Sequence, residues 1–205
     1  MQLYAVSPSP FVRKVLVVAM ETRLVSRIEH LSSETTPTVP DMALTCFNPI
    51  GKLPTLVTDS GTALYDSRVI CEYLDSLQDD VRLFPLDSAD RWRVLRCQAL
   101  ADAVLDAAVL IRYETVLRPE NKYWPSWVEG QMGKIHRGLD ALEAEAENFE
   151  DDLDIGIITT ACAMGYLDFR FPEEEWRRVR PKLRDWYVKF AAREAMVATE
   201  PAKFS

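Results

Sequence analysis

Three short stretches of this chain carry residue types that can do chemistry on a bound ligand. The first is "SPSPFVRK", residues 7–14, in which Ser9 directly precedes Pro10. A serine hydroxyl satisfies orphan N–H groups at a helix start, and proline is preset for the first helical position. The same geometry suits an anion, because a helix N-terminus carries about half a positive charge and presents unpaired N–H groups. A hydroxyl held there would hydrogen-bond a bound thiolate and lower its pKa. Capping and chemistry both remain open from this dipeptide alone, and Ser7 competes with Ser9. No cysteine stands in this loop. Disulfide exchange needs an enzyme thiolate as nucleophile, so any thiol must come from the ligand.

The second stretch is "NPIGKLPTL", residues 48–56. A cis peptide between Leu53 and Pro54 would expose the main-chain N–H and C=O of Leu53 to a peptide-like ligand, as if a strand were added to an edge. Lys52 beside it can meet a carboxylate. The third stretch is "LYDS", residues 64–67. There Asp66 can accept from an ammonium and Ser67, at the next helix start, can donate to a carboxylate, together making an amino-acid receptor. Each of these residues also has an ordinary reading, as a solvated lysine or as capping residues.

The elements that must position them are legible in the hydrophobic pattern. "MQLYAV" and "SRIEHL" read as strands, and between them Val12, Val15, Leu16 and Ala19 fall on one face of a helix from Pro10 to Arg23. "LPTLVTDSGTALYDS" supplies two strands around Asp59-Ser60-Gly61, a turn whose glycine accepts positive φ. A helix from Ser67 to Leu77 follows, with Val69, Ile70, Tyr73, Leu74 and Leu77 at helical spacing. The order βαβ then ββα, with a proline opening the third strand, is the thioredoxin-like arrangement. From Ala89 onward the pattern is helical, with segments at 89–118, 126–149, 154–169 and 180–193 punctuated by Pro119, Pro125, Pro172 and Pro181. The expected fold is therefore α/β plus all-α: a thioredoxin-like domain at 1–77, a linker at 78–88 and a helical bundle domain at 89–205.

With 205 residues and 48% hydrophobic content, the chain can bury one large core or two modest ones. A net charge of −8 argues against nucleic acid and anionic membrane as partners, since phosphate contacts need concentrated Lys and Arg. The first 22 residues lack the ordered regions of a signal peptide, and no apolar run approaches the roughly 20 residues that span a bilayer. A soluble, cytoplasmic protein is expected. The four cysteines form no CxxC pair and only His30 and His136 supply imidazole, so neither a disulfide framework nor a metal site is indicated.

Taken together, "SPFVRK", "NPIGKLPTL" and "DSRVICEYLD", in this order and spacing, resemble the glutathione S-transferase family, and "GYLDFRF" at 165–171 resembles a segment frequent in its bacterial members. The resemblance covers essentially the whole chain. It implies glutathione as co-substrate, with no other cofactor and no metal, and a small hydrophobic electrophile as the second substrate. Ser9 takes the position of the catalytic serine or cysteine of serine-type and omega-like classes, with Ser7 as the alternative. Leu53 would bind the cysteinyl backbone next to Pro54, Lys52 would lie near the glycyl end, and Asp66 and Ser67 would hold the γ-glutamyl end. Family members pair as homodimers, and Asp102, with Asp106 behind it, is the candidate acid that reaches the partner's γ-glutamyl amine. A second-substrate site needs apolar walls, for which Phe11, Ile111, Tyr113 and Phe169 are the candidates, with ordinary core as the alternative reading, above all for Ile111 and Phe169.

The expected activity is conjugation of glutathione. The alternatives are a relative that only binds or regulates, or another glutathione-dependent reaction such as peroxide reduction, isomerisation or dehalogenation. One departure from the family pattern stands at "DIGI", residues 154–157: Asp154 can cap the helix that follows, but Ile157 cannot return the bond as a carboxylate would. A cost of about 1 kcal/mol in stability is expected there if nothing compensates.

Overall fold

Alternating apolar residues in the first strand bury Leu3 completely while Gln2 stays exposed, and this strand organises a four-stranded sheet. The structure, a computed structural model, describes residues 1–80, 82–86, 88–149 and 153–201. Strands β1 (Gln2–Ala5), β2 (Glu29–Ser32), β3 (Thr55–Val57) and β4 (Ala63–Leu64) lie in the order β2-β1-β3-β4. β1 runs parallel to β2 and antiparallel to β3, with Tyr4 opposite Thr55, and β3 runs antiparallel to β4, with Leu56 opposite Leu64. Helices α1 (Pro10–Glu21), α2 (Met42–Thr45) and α3 (Ser67–Ser76) complete the thioredoxin-like arrangement that the sequence order implies. The second strand starts later than "SRIEHL" implies, because Val25–Arg27 closes a 3₁₀ turn first.

The chain divides into two units, Met1–Phe84 together with Arg193–Ser205, and Pro85–Ala192. The expected linker at 78–88 includes residues 81 and 87, and the expected helical domain includes 150–152 and 202–205; these positions lie outside the described residues. The division groups α9 (Glu194–Ala198) with the sheet, whereas the sequence pattern assigned it to the helical segment. Local periodicity cannot see such a return, which rests on contacts separated by more than 170 residues.

In the first unit, Val12, Val15, Leu16 and Ala19 are buried as the helical face implies, and so are Val17, Val18, Arg13 and Lys14. α1 is covered on two sides, by α3 and by α9. The guanidinium of Arg13 explains its burial: Nη2 donates to the Met196 carbonyl at 2.9 Å and Nε to Thr199 Oγ1 at 3.4 Å. Arg193 returns the favour from α9, its Nε and Nη2 each 2.9 Å from a Glu21 carboxylate oxygen.

The second unit is helical, with α4 (Ser88–Val116), α5 (Pro125–Glu145), α6 (Ile155–Arg170), α7 (Trp176–Val179) and α8 (Pro181–Ala191). α6 is buried from Ile155 to Leu167 and packs along α4. The approach is close enough that a Cβ on Gly156 would lie 2.8 Å from Cys97 Cβ and 2.9 Å from the Val94 carbonyl oxygen. The helix start above it is capped by Asp154, whose Oδ1 accepts from the Ile157 N–H at 2.9 Å. The reciprocal bond is absent, as the sequence implies, but Ile157 is itself buried and Arg93 lies 3.7 Å from the other Asp154 oxygen. Among the described residues no helix is long and apolar enough to cross a membrane.

Gly156→Ala forces the two backbones apart and is expected to destabilise the protein by about 1–3 kcal/mol. Asp154→Ala, which leaves a buried N–H unpaired, is expected to cost about 1–2 kcal/mol. Urea unfolding checks both, through a lower midpoint at unchanged slope.

Candidate functional site

Strand polarity alone gathers the three stretches singled out in the sequence. β1 leaves the sheet toward the "SPSP" loop, β3 enters it from Pro54, and β4 leaves it toward Asp66. Because β3 is antiparallel to both neighbours, these three chain ends share one end of the sheet.

At that end Ser9 is the N-cap of α1, with extended backbone at φ −77° and ψ 120° and Pro10 at the first helical position. Its Oγ accepts from the Val12 N–H at 3.3 Å, and its own N–H donates to the Val6 carbonyl at 3.1 Å. The helix thus uses a lone pair of this half-buried hydroxyl and leaves its proton available. Ser7 is placed differently: its Oγ donates to the Pro201 carbonyl at 2.9 Å, which spends its proton inside the fold.

The Leu53–Pro54 peptide is cis, and the main-chain N–H and C=O of half-buried Leu53 have no hydrogen-bond partner among the described residues. Lys52 is exposed, while its carbonyl is held from two sides. Asn48 Nδ2 donates to it at 3.0 Å, and so does Thr55 Oγ1, also at 3.0 Å. Asn48 also donates to Thr55 Oγ1 at 3.0 Å and accepts from the Ile50 N–H at 3.1 Å through Oδ1. The loop turns at Gly51, whose φ of +64° is one that side-chain-bearing residues rarely adopt. Asn48, 2% exposed, is a positioning residue that periodicity gave no sign of; the only signal was an Asn-Pro pair opening a turn.

Asp66 caps α3, its Oδ1 accepting from the Arg68 N–H at 2.9 Å, and its carboxylate is exposed; the Tyr65–Asp66 peptide is cis. Ser67, at the first helical position, is buried at 2% exposure. These two do not share an environment, so the receptor expected from them divides into an exposed carboxylate and a buried helix start.

Two expectations need correction. Asp102 is 1% exposed on α4 and so cannot reach out to a partner subunit; Asp106, four residues on, is exposed. Ile111 is 3% exposed and belongs to the helical core rather than to a substrate wall. The other three apolar candidates are accessible: Phe11 is half-buried, with the Lys14 ammonium 5.9 Å from its ring centroid, while Tyr113 and Phe169 are exposed. Cys97 is buried, which pushes its thiol up to about 11, so it is no thiolate near neutrality. Among the described residues no group of His, Cys, Asp and Glu is placed to hold a metal.

Residues 8–77 match the family described as Glutathione S-transferase, N-terminal domain, and residues 125–188 match Glutathione S-transferase, C-terminal domain. The chain is 33% identical to the uncharacterized GST-like protein YibF of Escherichia coli K12, over 99% of this chain and all of that one. A crystal structure of a glutathione transferase family member from Pseudomonas fluorescens Pf-5 with bound glutathione is 46% identical, covers 98% of each chain and superposes with a TM-score of 0.95. Another from that organism, with bound S-(propanoic acid)-glutathione, is 44% identical, has a TM-score of 0.91 and covers 98% of this chain and 99% of that one.

Asn48→Ala removes both supports that the amide gives the Lys52 loop. It is expected to cost about 1–3 kcal/mol of stability, and thermal unfolding checks it.

Proposed function

The chain belongs to the glutathione S-transferase family, and from that membership we propose that it binds glutathione, stabilises its thiolate beside Ser9 and directs the sulfur onto an electrophilic carbon. The observation that carries this reading is the Ser9 hydroxyl, which accepts from α1 and keeps its proton for a ligand at the end of the sheet that also presents Leu53 and Asp66. The hydroxyl acts as a hydrogen-bond donor and not as a nucleophile.

The magnitudes suffice. A free thiol with a pKa near 8.5 is only a few per cent ionised at pH 7, and lowering it by about two units corresponds to about 2.7 kcal/mol. One charge-assisted hydrogen bond and the α1 N-terminus together can supply that. The unpartnered main chain of Leu53 offers the cysteinyl backbone a two-bond, strand-like pairing, and Asp66 offers a carboxylate to the γ-glutamyl ammonium. Lys52, exposed beside Leu53, can meet the glycyl carboxylate. The relative that holds S-(propanoic acid)-glutathione supports room for a substituent on the sulfur.

A homodimer belongs to the same reading, with Asp106 rather than Asp102 as the α4 acid able to reach a partner. Sedimentation equilibrium at micromolar protein is expected to give twice the chain mass; a monomer would remove this part.

Glutathione is expected to bind at millimolar concentration or below, with the bound thiolate absorbing in the ultraviolet well below pH 8. Ser9→Ala is expected to raise the bound thiol's pKa by about 1–2 units, as loss of a charge-assisted bond implies. Ionised sulfur is then lost at higher pH, so conjugation at pH 6.5 falls in the variant more than conjugation at pH 9. Ser7→Ala is expected to leave the thiol titration in place. No binding of glutathione would sink the reading, and an unchanged thiol pKa in Ser9→Ala would transfer the role to main-chain N–H groups.

A further inference from the structure

Late in its course the chain returns to α1 and runs back along it. Three contacts fix the direction. Arg193 Nε and Nη2 each lie 2.9 Å from a Glu21 carboxylate oxygen at the end of α1. Arg13 Nη2 donates to the Met196 carbonyl at 2.9 Å, and Ser7 Oγ, ahead of the helix, donates to the Pro201 carbonyl at 2.9 Å. Residues rising from 193 to 201 thus meet residues falling from 21 to 7, so the returning segment lies antiparallel to α1, within the unit that holds the sheet. Ser9 stands between the last two of these ties.

Arg13 is the unusual member. It is buried and has no carboxylate partner among the described residues: Nη2 goes to the Met196 carbonyl and Nε to Thr199 Oγ1 at 3.4 Å. Thr199 is buried as well, and its hydroxyl donates to the Ala195 carbonyl at 2.7 Å, which leaves a lone pair for Arg13. Burying a cation against neutral oxygens is a costly way to fasten two segments, since apolar side chains of similar volume often hold them as well or better. What the guanidinium fork supplies and apolar packing does not is direction.

That direction passes to Ser9 through the main chain. The Arg13 N–H donates to the Ser9 carbonyl at 3.0 Å and the Val12 N–H to Ser9 Oγ at 3.3 Å, so the cap and the first turn move as one. At about 1.5 Å of rise per residue, Arg13 lies about 6 Å along the axis from Ser9, whereas Glu21 lies about 18 Å away. Helix ends fray first, so a tie at Glu21 restrains the helix but not its opening turn. On the loop side the Ser9 N–H reaches the Val6 carbonyl at 3.1 Å without the Ser7 hydroxyl. On the helix side Arg13 has no such reserve.

We propose that Arg13, held by Met196 and Thr199, is a positioning residue for the Ser9 hydroxyl, which makes the returning segment at 193–201 a working part of the thiol site. This deepens the glutathione reading above and rests on it.

The test titrates the thiol of glutathione bound to the full-length protein, followed by its thiolate absorbance. Arg13→Gln is expected to raise the bound thiol's pKa by about 0.5–1 unit, less than Ser9→Ala does. Arg193→Gln is expected to lower the thermal midpoint and leave that pKa in place, because its tie lies at the far end of α1. In the Ser9→Ala background Arg13→Gln is expected to add no further shift, since Arg13 acts through the hydroxyl. Thr199→Val, which takes the acceptor from Nε at nearly constant shape, gives a smaller shift in the same direction and serves if Arg13→Gln fails to fold. An unchanged thiol pKa in the folded Arg13 or Thr199 variant, beside a raised one in Ser9→Ala, would overturn the inference and leave the underlying reading standing. A shift that keeps its full size in the Ser9→Ala background would also overturn it, by assigning the effect to the cation's charge. Failure of the parent protein to bind glutathione, or an unchanged thiol pKa in Ser9→Ala itself, would overturn the underlying reading and the inference with it.

Discussion

The hydrogen bond from the Val12 N–H to the Ser9 hydroxyl determines which side of that hydroxyl faces outward. Helix starts leave four N–H groups without partners, and a serine cap satisfies one by giving up a lone pair, not its proton. The orientation is then maintained from further away. Pro10 fixes the first helical φ, the Ser9 N–H ties back to Val6, and Ser7 anchors the preceding turn to Pro201. Arg13, one turn into α1, is clamped to the carbonyl end of α9. A thiol-stabilising group needs a fixed donor direction, since reorganising a free rotor costs the free energy that the bond would supply. On the proposed reading, capping and thiol stabilisation are consecutive uses of one geometry.

The helical unit obeys a different constraint, the nearness of two backbones. Where α4 and α6 approach, Gly156 leaves no room for a side chain, Thr159 and Thr160 turn their hydroxyls back to the Ile155 and Gly156 carbonyls, and Thr160 Oγ1 also meets Cys97 Sγ on α4 at 3.6 Å. Asp154 closes the helix start, and the missing return bond from Ile157 is offset by packing and by Arg93.

Most of the architecture was legible because it is written locally. Strand alternation, the Pro10 face, the turn at Gly61 and the caps at Ser9, Asp66 and Asp154 each depend on residues within one or two turns of each other, and each has its counterpart in the structure. What could not be read depends on long-range return of the chain. The affiliation of α9 with α1 rests on Arg13 and Arg193, which a helical wheel would place in solvent. Asn48 carries a loop through its amide, with only a turn signal to announce it. Burial of Asp102 removes a role that a family pattern lent it, and burial of Ile111 selects the core reading that its apolar type left open, because residue type does not carry exposure.

Arg13 and Arg170 are two cations whose burial the chain handles differently. Arg13 is 6% exposed, and its Nε and Nη2 find a hydroxyl and a helix-end carbonyl, so its charge is absorbed by oxygens of the chain. Such a group stabilises by bridging two segments. Arg170 gives one face to Phe169 and leaves Nε buried without an acceptor. Desolvation penalises an unpaired charged donor heavily, and an acidic chain has ample carboxylates with which to relieve it. The fold relieves the first and leaves the second's Nε unrelieved, so burial alone does not tell a bridging cation from one whose donor stays unpaired.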